Sequence, residues 1–308
     1  MISDYLKIAR IDHWIKQLFI IPGVLVAFLL VDNTGIDVIL KCLLALISTS
    51  FIASANYIIN EYLDAEFDKY HPIKKNRTLA RKKLNKFIII VEYILFVAIG
   101  LFVAFFLSKI VMLLQITLLL MGILYNVKPF RLKDIAYLDV LTESINNAIR
   151  FLIGWYSVTS EYYPPISIVF GYWMVGAYLM TIKRFAEYMM IDNKEVASQY
   201  RKSFKYYNKI SLLVYAFFFA LMSVFFCGIF LIKYKIELLL TLPFFIGLFC
   251  YYLYIAFKDD SPVQRVEKLY KEKFLMIYLL ILIIIFIISM LINIPALKVF
   301  DSVTLFPM

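Results

Sequence analysis

Nine apolar runs, most of them about as long as a membrane-crossing helix, constrain this chain more than any motif does. They lie near residues 17–31, 38–60, 86–108, 110–127, 137–157, 164–183, 208–232, 236–257 and 274–294. A helix needs about 20 mostly apolar residues to cross the hydrocarbon core of a bilayer; the first and fourth runs are the shortest. The runs are continuous rather than alternating, which excludes a transmembrane β-barrel. The expected fold is therefore all-α and integral to a membrane, with about nine transmembrane helices in a single polytopic domain over residues 1–308. An apolar share of 63%, against roughly 45–50% in soluble domains, is too large for one water-soluble core.

The net charge of +10 would suit nucleic acid if it formed one patch, but the Lys and Arg sit in blocks between the apolar runs. Such blocks read as topology signals and phosphate binders, so no nucleic-acid partner is expected. Of the 32 basic residues, 26 fall in the N-terminal segment and the even-to-odd connections, 5 on the other side, and Arg150 alone inside a span. This asymmetry predicts a cytoplasmic N-terminus and, with an odd number of spans, an external C-terminus. Charges among the first sixteen residues break up what would be the apolar stretch of a signal peptide, so the N-terminus is expected to be retained. Cys42, Cys227 and Cys250 lie inside apolar runs far apart in sequence and read as packing residues.

Two connections are longer than a turn requires, residues 61–85 and 184–207. Both are expected to be cytoplasmic functional loops. The first begins on NYIINEYLDAEFD, where Asn60, Asp64 and Asp68 recur at i, i+4 and i+8 and so line one stripe of a helix. Carboxylate and amide oxygens suit a hard cation such as Mg2+, which is commonly held by one or two carboxylates plus substrate phosphates. A solvated helix end would also carry acids, but acids at a helix C-terminus oppose the macrodipole. HPIKKNRTLARKK follows at once, with His71, Lys74, Lys75 and Arg77. A basic loop beside an acidic stripe is what a diphosphate requires.

A second constellation lies in YNVKPFRLKDIAYLDVLTESINNAIR. Asp139, Glu143, Asn146 or Asn147, and Arg150 share one face of an apolar helix, with Arg131 and Lys133 at its mouth. Ionisable groups at membrane depth usually face a cavity or pair with one another; a structural Glu143–Arg150 network and a shared cavity with the first stripe are both open. Lys183, Arg184 and Glu187 end the sixth span as a third cluster, equally readable as an interfacial anchor. His13 and His71 are too far apart for a zinc site, and His13 beside Trp14 reads as interfacial. No phosphate-cradling glycine loop, nucleophile elbow or HExxH pattern is present.

At these residues the sequence resembles the UbiA superfamily of intramembrane prenyltransferases. NEYLDAEFD is similar to the family's NDxxDxxxD motif, with Glu61 in place of the usual Asp. HPIKKNRTLA is similar to HPxKxxRPxA, with Thr78 where Pro is usual. Asp139 and Glu143 would match a second acidic motif. RIDHWIKQLFIIPG, KRFAE, LDV at 138–140 and Arg150 followed by Gly154 resemble the decaprenyl-phosphate phosphoribosyltransferase-like branch, whereas NVKPFRLK is closer to ordinary prenyl-acceptor enzymes.

The resemblance implies nine helices around a central cavity open sideways to lipid, in a bacterial or archaeal cell membrane. It also implies a Mg2+-dependent transferase that displaces pyrophosphate from its donor. Asn60, Asp64 and Asp68 would hold the metal, with Asp64, Asp68 and Asp139 as catalytic residues. Lys16, Lys74, Lys75, Arg77, Lys133, Glu143, Arg150 and Lys183 would bind substrate. The partners implied are a polyprenyl lipid, a pyrophosphate-bearing donor and membrane lipids. The donor would be phosphoribosyl pyrophosphate and the acceptor a polyprenyl phosphate; the alternative is prenyl transfer from a polyprenyl diphosphate to an aromatic or quinone-type acceptor. A secondary transporter and a scaffold for anionic lipids are the readings from other classes.

Overall fold

A computed structural model of the chain describes residues 2–31, 35–191, 193–258, 261–264 and 266–300. Its principal helices are α1 (Ile21–Leu30), α2 (Ile36–Asp68), α3 (Lys86–Phe105), α4 (Lys109–Asn126), α5 (Leu138–Val158), α6 (Ile166–Met190), α7 (Lys209–Tyr234), α8 (Leu242–Ala256) and α9 (Lys273–Leu291). Among the described residues, eight helical segments are long and apolar enough to cross a membrane: Ser3–Leu30, Ile36–Asp68, Lys86–Phe105, Lys109–Asn126, Ile166–Met190, Lys209–Tyr234, Ile236–Ala256 and Lys273–Leu291. The remaining run is α5. Its 21 residues span about 31 Å at 1.5 Å per residue, but Asp139, Glu143 and Arg150 make it more polar than its neighbours. Large apolar side chains such as Phe102, Phe217 and Leu280 face outward, as expected of helices solvated by lipid. The chain is an integral membrane protein.

Helix ends follow local chemistry. Asn85 caps α3 by accepting the Phe87 amide at 2.9 Å, and Ser108 caps α4 by accepting the Val111 amide at 3.1 Å. Pro22 and Pro243 sit in the first turns of α1 and α8, where a missing amide hydrogen costs nothing. The first span is not a continuous α-helix: a short helix Ile2–Ile8 leads through Arg10, at φ 51°, into a 3-10 stretch Ile11–Ile20. The connections expected at 61–85 and 184–207 both begin inside helix, because α2 runs on to Asp68 and α6 to Met190. In α2 this extension keeps Asn60, Asp64 and Asp68, at i, i+4 and i+8, on one helical face. The C-terminal residues 301–308, whose external placement the charge bias implies, lie outside the described residues.

The chain comprises two compact units. The first comprises residues 1–164 and 188–211. Its apolar centre joins Ile20, Ala45, Ile52, Val111, Leu118, Ile149 and Ile153, from the first span, α2, α4 and α5. Lipid is as apolar as leucine, so helices in a membrane associate through close packing and hydrogen bonds rather than by escaping water. Both are present here. Gln115 donates to Thr49 Oγ1 at 2.7 Å, Ser48 to the Gly100 carbonyl at 2.8 Å and Asn56 to the Leu118 carbonyl at 3.0 Å. Gly23 of α1 and Gly154 of α5 let two backbones touch: a Cβ on Gly23 would lie 2.0 Å from the Phe151 carbonyl oxygen, and one on Gly154 2.2 Å from that of Ile20.

The second unit comprises residues 165–187 and 212–308. In it Tyr178 donates to the Phe249 carbonyl at 2.5 Å and Tyr278 to that of Phe244 at 2.8 Å. Arg184 and Glu187 form an ion pair at 2.9 Å with each side chain only 1% exposed. Cys227 is buried, Cys42 partly so, and Cys250, expected in packing, is exposed; a thiol is apolar enough to face lipid.

Gly154→Ala should therefore lower the stability of the folded protein by about 1–3 kcal/mol, the usual range for overpacking. Gly228→Ala should produce no such loss, because nothing lies within 4 Å of the Cβ it would add. Thermal unfolding in detergent measures both; equal unfolding temperatures for the two variants would contradict the backbone contact.

Candidate active site

The polar end of α2 gathers most of the first unit's buried charge. Asp64 accepts from Arg131 Nη2 at 2.8 Å and pairs through the same oxygen with Lys133 Nζ at 2.5 Å. Its other oxygen takes the Asn60 amide at 3.2 Å. One turn further on, Asp68 accepts from Arg77 Nη1 at 2.7 Å, with 2% of the carboxylate side chain exposed. The stripe read from sequence is thus real, and each of its carboxylates is matched by cations from a following connection.

The geometry of the 127–137 connection explains how Arg131 and Lys133 reach Asp64. Arg131 adopts the left-handed conformation at φ 36° and ψ 55°, and Tyr137 also has a positive φ, 70°, both rare for side-chain-bearing residues. The reversal at Arg131 returns its guanidinium toward the end of α4, where Nη1 donates to the Asn126 carbonyl at 3.1 Å. The Asn126 side-chain oxygen accepts from Lys133 at 2.7 Å and from Asn60 at 2.6 Å. Asn126, absent from the sequence-derived set, therefore joins the two halves of the site. Burial pushes the Lys133 ammonium down to about 8, against the opposing pull of Asp64.

Glu61, which replaces the usual Asp of the motif, faces elsewhere. It accepts from Arg10 at 2.7 and 3.1 Å and from the Leu79 amide at 3.3 Å, tying the N-terminal segment to the basic loop. Within that loop His71 Nδ1 accepts the amides of Ile73 and Lys74 at 3.1 and 3.2 Å. Lys74 bonds the Tyr200 hydroxyl. Lys75 is exposed.

The second stripe forms an adjoining network. Asp139, fully buried in the first turn of α5, accepts from Tyr207 at 2.5 Å, Ser203 at 3.2 Å and Arg201 at 3.4 Å. Glu143 accepts from Tyr125 at 2.8 Å, and the Tyr125 hydroxyl accepts from Arg201 at 3.1 Å. Lys133 Nζ lies 5.9 Å from the Tyr125 ring centre, linking this network to Asp64. Arg150 donates to Gln17 at 2.8 Å and to the Asn146 carbonyl at 3.1 Å; Lys16 Nζ is 3.1 Å from His13 Nδ1.

Of the residues chosen from sequence, Asn60, Asp64, Asp68, Arg77 and Lys133 come together, with Asp139 and Glu143 beside them. Lys16 and Arg150 sit with the N-terminal segment, and Lys183 belongs to the second unit. Tyr125, Asn126, Tyr200, Arg201, Ser203 and Tyr207 were not legible as site residues. They are polar or aromatic residues near span ends, a pattern that interfacial anchors share.

Among the described residues, no three His, Cys, Asp or Glu side chains gather as a ready-made metal cage. The donors that α2 presents are oxygen only, one amide and two carboxylates on successive turns, and Asp64 remains 14% exposed. That set fits Mg2+, which takes few protein ligands and completes its shell with water and phosphate.

An all-α membrane protein with two carboxylates and a cluster of cations at the end of a long helix is the class that fold and site define. The sequence matches the profile of the UbiA prenyltransferase family over residues 20–280, and the chain belongs to that family. The fold agrees. It superposes with a TM-score of 0.69 on a UbiA homolog from Archaeoglobus fulgidus bound to GPP and Mg2+, at 17% identity, over 94% of this chain and 100% of that one. The form of that homolog bound to DMAPP and Mg2+ gives 0.68 at the same identity and coverage. A structure described as digeranylgeranylglyceryl phosphate synthase in membranes gives 0.61 at 18% identity, over 94% and 98% of the two chains. An uncharacterized protein of Sinorhizobium fredii, y4nM, is 27% identical over 153 residues, half of this chain; the match spans 28% of that relative's length. The transporter reading gains no support from these likenesses.

Glu61→Gln should weaken the Arg10 pairing and lower the unfolding temperature while leaving the Asp64 cluster intact. A Glu61→Gln protein with normal thermal stability would remove Glu61 from its assigned structural role.

Proposed function

We propose that the chain is a Mg2+-dependent transferase that displaces pyrophosphate from its donor, with phosphoribosyl pyrophosphate as donor and a polyprenyl phosphate as acceptor. The observation that carries the reading is the pairing at α2: Asp64 and Asp68 offer oxygen ligands, and the cations needed by a diphosphate are already held against them. Asn60, Asp64 and Asp68 would hold the metal. When bound, Mg2+ supplies charge neutralisation for the departing diphosphate.

The protein's own groups do the rest. Arg77, Arg131 and Lys133 exchange carboxylate partners for phosphate oxygens as the donor arrives, Lys74 turns to them from the Tyr200 hydroxyl, and charge-assisted bonds of this kind are about twice as strong as neutral ones. Burial disfavours the Lys133 charge, and an added anion beside it stabilises the ammonium form. With Asp68, Lys133 and Asp139 all buried, the cationic carbon left by departing pyrophosphate is shielded from water. Lys75 and Glu143 serve the rim of this donor site. The N-terminal segment and basic connections lie on the cytoplasmic side in this reading, where the 26 to 5 charge bias puts them.

The phosphoribosyl branch draws support from the second set of cations. Lys16 beside His13 and Arg150 beside Gln17 bring positive charge to the N-terminal segment and α5, apart from the donor cluster. An acceptor that carries its own phosphate requires such charge in a low-dielectric site; an aromatic acceptor does not. The second reading, prenyl transfer to an aromatic or quinone-type acceptor, is favoured by the prenyl diphosphates GPP and DMAPP named in the two most similar solved structures reported above.

Labelled phosphoribosyl pyrophosphate supplied with a polyprenyl phosphate and Mg2+ should transfer label to the lipid phase. No label there, with transfer from a prenyl diphosphate instead, would replace the phosphoribosyl reading by the prenyl one. Asp64→Asn and Asp68→Asn should each reduce turnover by well over tenfold, a barrier rise of at least about 1.4 kcal/mol. Normal Mg2+-dependent turnover in both variants would move the metal site off α2.

A further inference from the structure

The segment that follows α6 contributes two neighbouring residues to opposite sides of the candidate site, although its sequence carries no motif. Asn193 caps the short helix Lys194–Tyr200 through bonds from the amides of Glu195 and Val196 at 2.8 and 3.4 Å. The helix ends where Arg201 turns to extended backbone, φ −145° and ψ 120°. At this corner the two side chains diverge. Tyr200 meets the first basic loop: its hydroxyl bonds Lys74, and its ring lies edge to face with His71 at 4.5 Å. Arg201 meets the second stripe, at Tyr125 and Asp139.

The bond lengths rank the partners of Asp139. Tyr207 holds one carboxylate oxygen at 2.5 Å, and the same hydroxyl accepts the amide of Tyr137 at 2.6 Å. Ser203 and Arg201 share the other oxygen at 3.2 and 3.4 Å. Charge-assisted N–H···O bonds are typically about 2.7–2.9 Å, the range that Arg77–Asp68 and Arg131–Asp64 occupy at 2.7 and 2.8 Å. Asp139 therefore grips the segment through Tyr207 and only orients Arg201. A carboxylate has about four lone-pair positions, and three are already used by side chains, which leaves Asp139 a poor metal ligand. Arg201 donates to the Tyr125 hydroxyl at 3.1 Å, and the centre of that ring lies 5.9 Å from Lys133 Nζ, so the guanidinium stands one side chain away from the donor cluster.

We infer that Arg201 is a further diphosphate-binding residue, and that Asp139, with Tyr207 and Ser203, is the positioning latch that aims it rather than a second metal ligand. On arrival of the anion the long Asp139 contact is the one that yields, and the planar guanidinium offers paired donors to phosphate oxygens. The inference rests on the diphosphate-donor reading above, but not on which group the donor transfers.

The test uses purified full-length protein in detergent, with inorganic pyrophosphate as the probe and Mg2+ varied independently. Arg201→Gln should weaken pyrophosphate binding at saturating Mg2+ by about tenfold or more, the scale of one charged hydrogen bond, and Arg201→Lys should recover part of that loss. Asp139→Asn and Tyr207→Phe should weaken pyrophosphate binding by a smaller factor and raise KM for the donor more than they lower kcat, while the Mg2+ concentration for half-maximal binding stays the same. Tyr207→Phe retains the ring and so keeps the latch testable if Asp139→Asn does not fold. Unchanged pyrophosphate affinity in Arg201→Gln would overturn the assignment of Arg201. A large rise in the Mg2+ requirement of Asp139→Asn, with normal Mg2+ behaviour in Tyr207→Phe, would make Asp139 a metal ligand and overturn the latch. Wild-type protein that binds no pyrophosphate with Mg2+ would overturn the diphosphate reading itself, a result distinct from either of the others.

Discussion

A carboxylate drawn out of water at the end of a membrane-spanning helix is stable only if a cation comes with it. Even after relaxation, each unpaired buried ion carries a penalty of several kcal/mol. Asp64 and Asp68 meet that condition with partners from different places: Arg131 and Lys133 from the connection after α4, and Arg77 from the loop after α2. The pairing thereby fixes both connections over the end of α2. The reversed backbone at Arg131, costly by itself, persists because those ion pairs and the Asn126 bonds over-determine it.

The same arrangement makes the site responsive to an anion. Buried ion pairs contribute little net stability, so exchanging a carboxylate partner for a phosphate oxygen is a small change in energy and a large change in where the charge points. Glu61 and Arg10 show the contrasting case. Arg10 Nε and Nη2 both donate to Glu61 Oε2, while Oε1 takes the Leu79 amide; the pair joins residues 51 positions apart and serves the frame rather than the exchange.

The frame depends on α5, the least apolar of the nine long helices among the described residues. A helix bearing Asp139, Glu143 and Arg150 stays at membrane depth because its polar face is occupied by Tyr207, Tyr125 and Gln17. Its opposite constraint is steric. Gly154 permits backbone contact with the first span, and that contact sets the distance at which Gln17 meets Arg150. Family membership and the shared fold are consistent with a scaffold in which helix packing holds charged groups at depth.

The sequence by itself determined the helices and the acidic stripe. Apolar run length is set by bilayer thickness, and the i, i+4, i+8 spacing of Asn60, Asp64 and Asp68 depends only on helix geometry; both are local quantities. It also marked the basic loop, because charge blocks between apolar runs need no fold to be seen. What only the tertiary structure decided is partnership: that Glu61 turns to Arg10, that Asn126 bridges Lys133 and Asn60, that Arg201 and Tyr207 come to Asp139 from more than 60 positions away, and that Lys183 belongs to another unit. Those choices depend on how helices pack and where connections reverse. Residues such as Arg131, at φ 36°, and Tyr207, one of 23 tyrosines, carry no local sign of either.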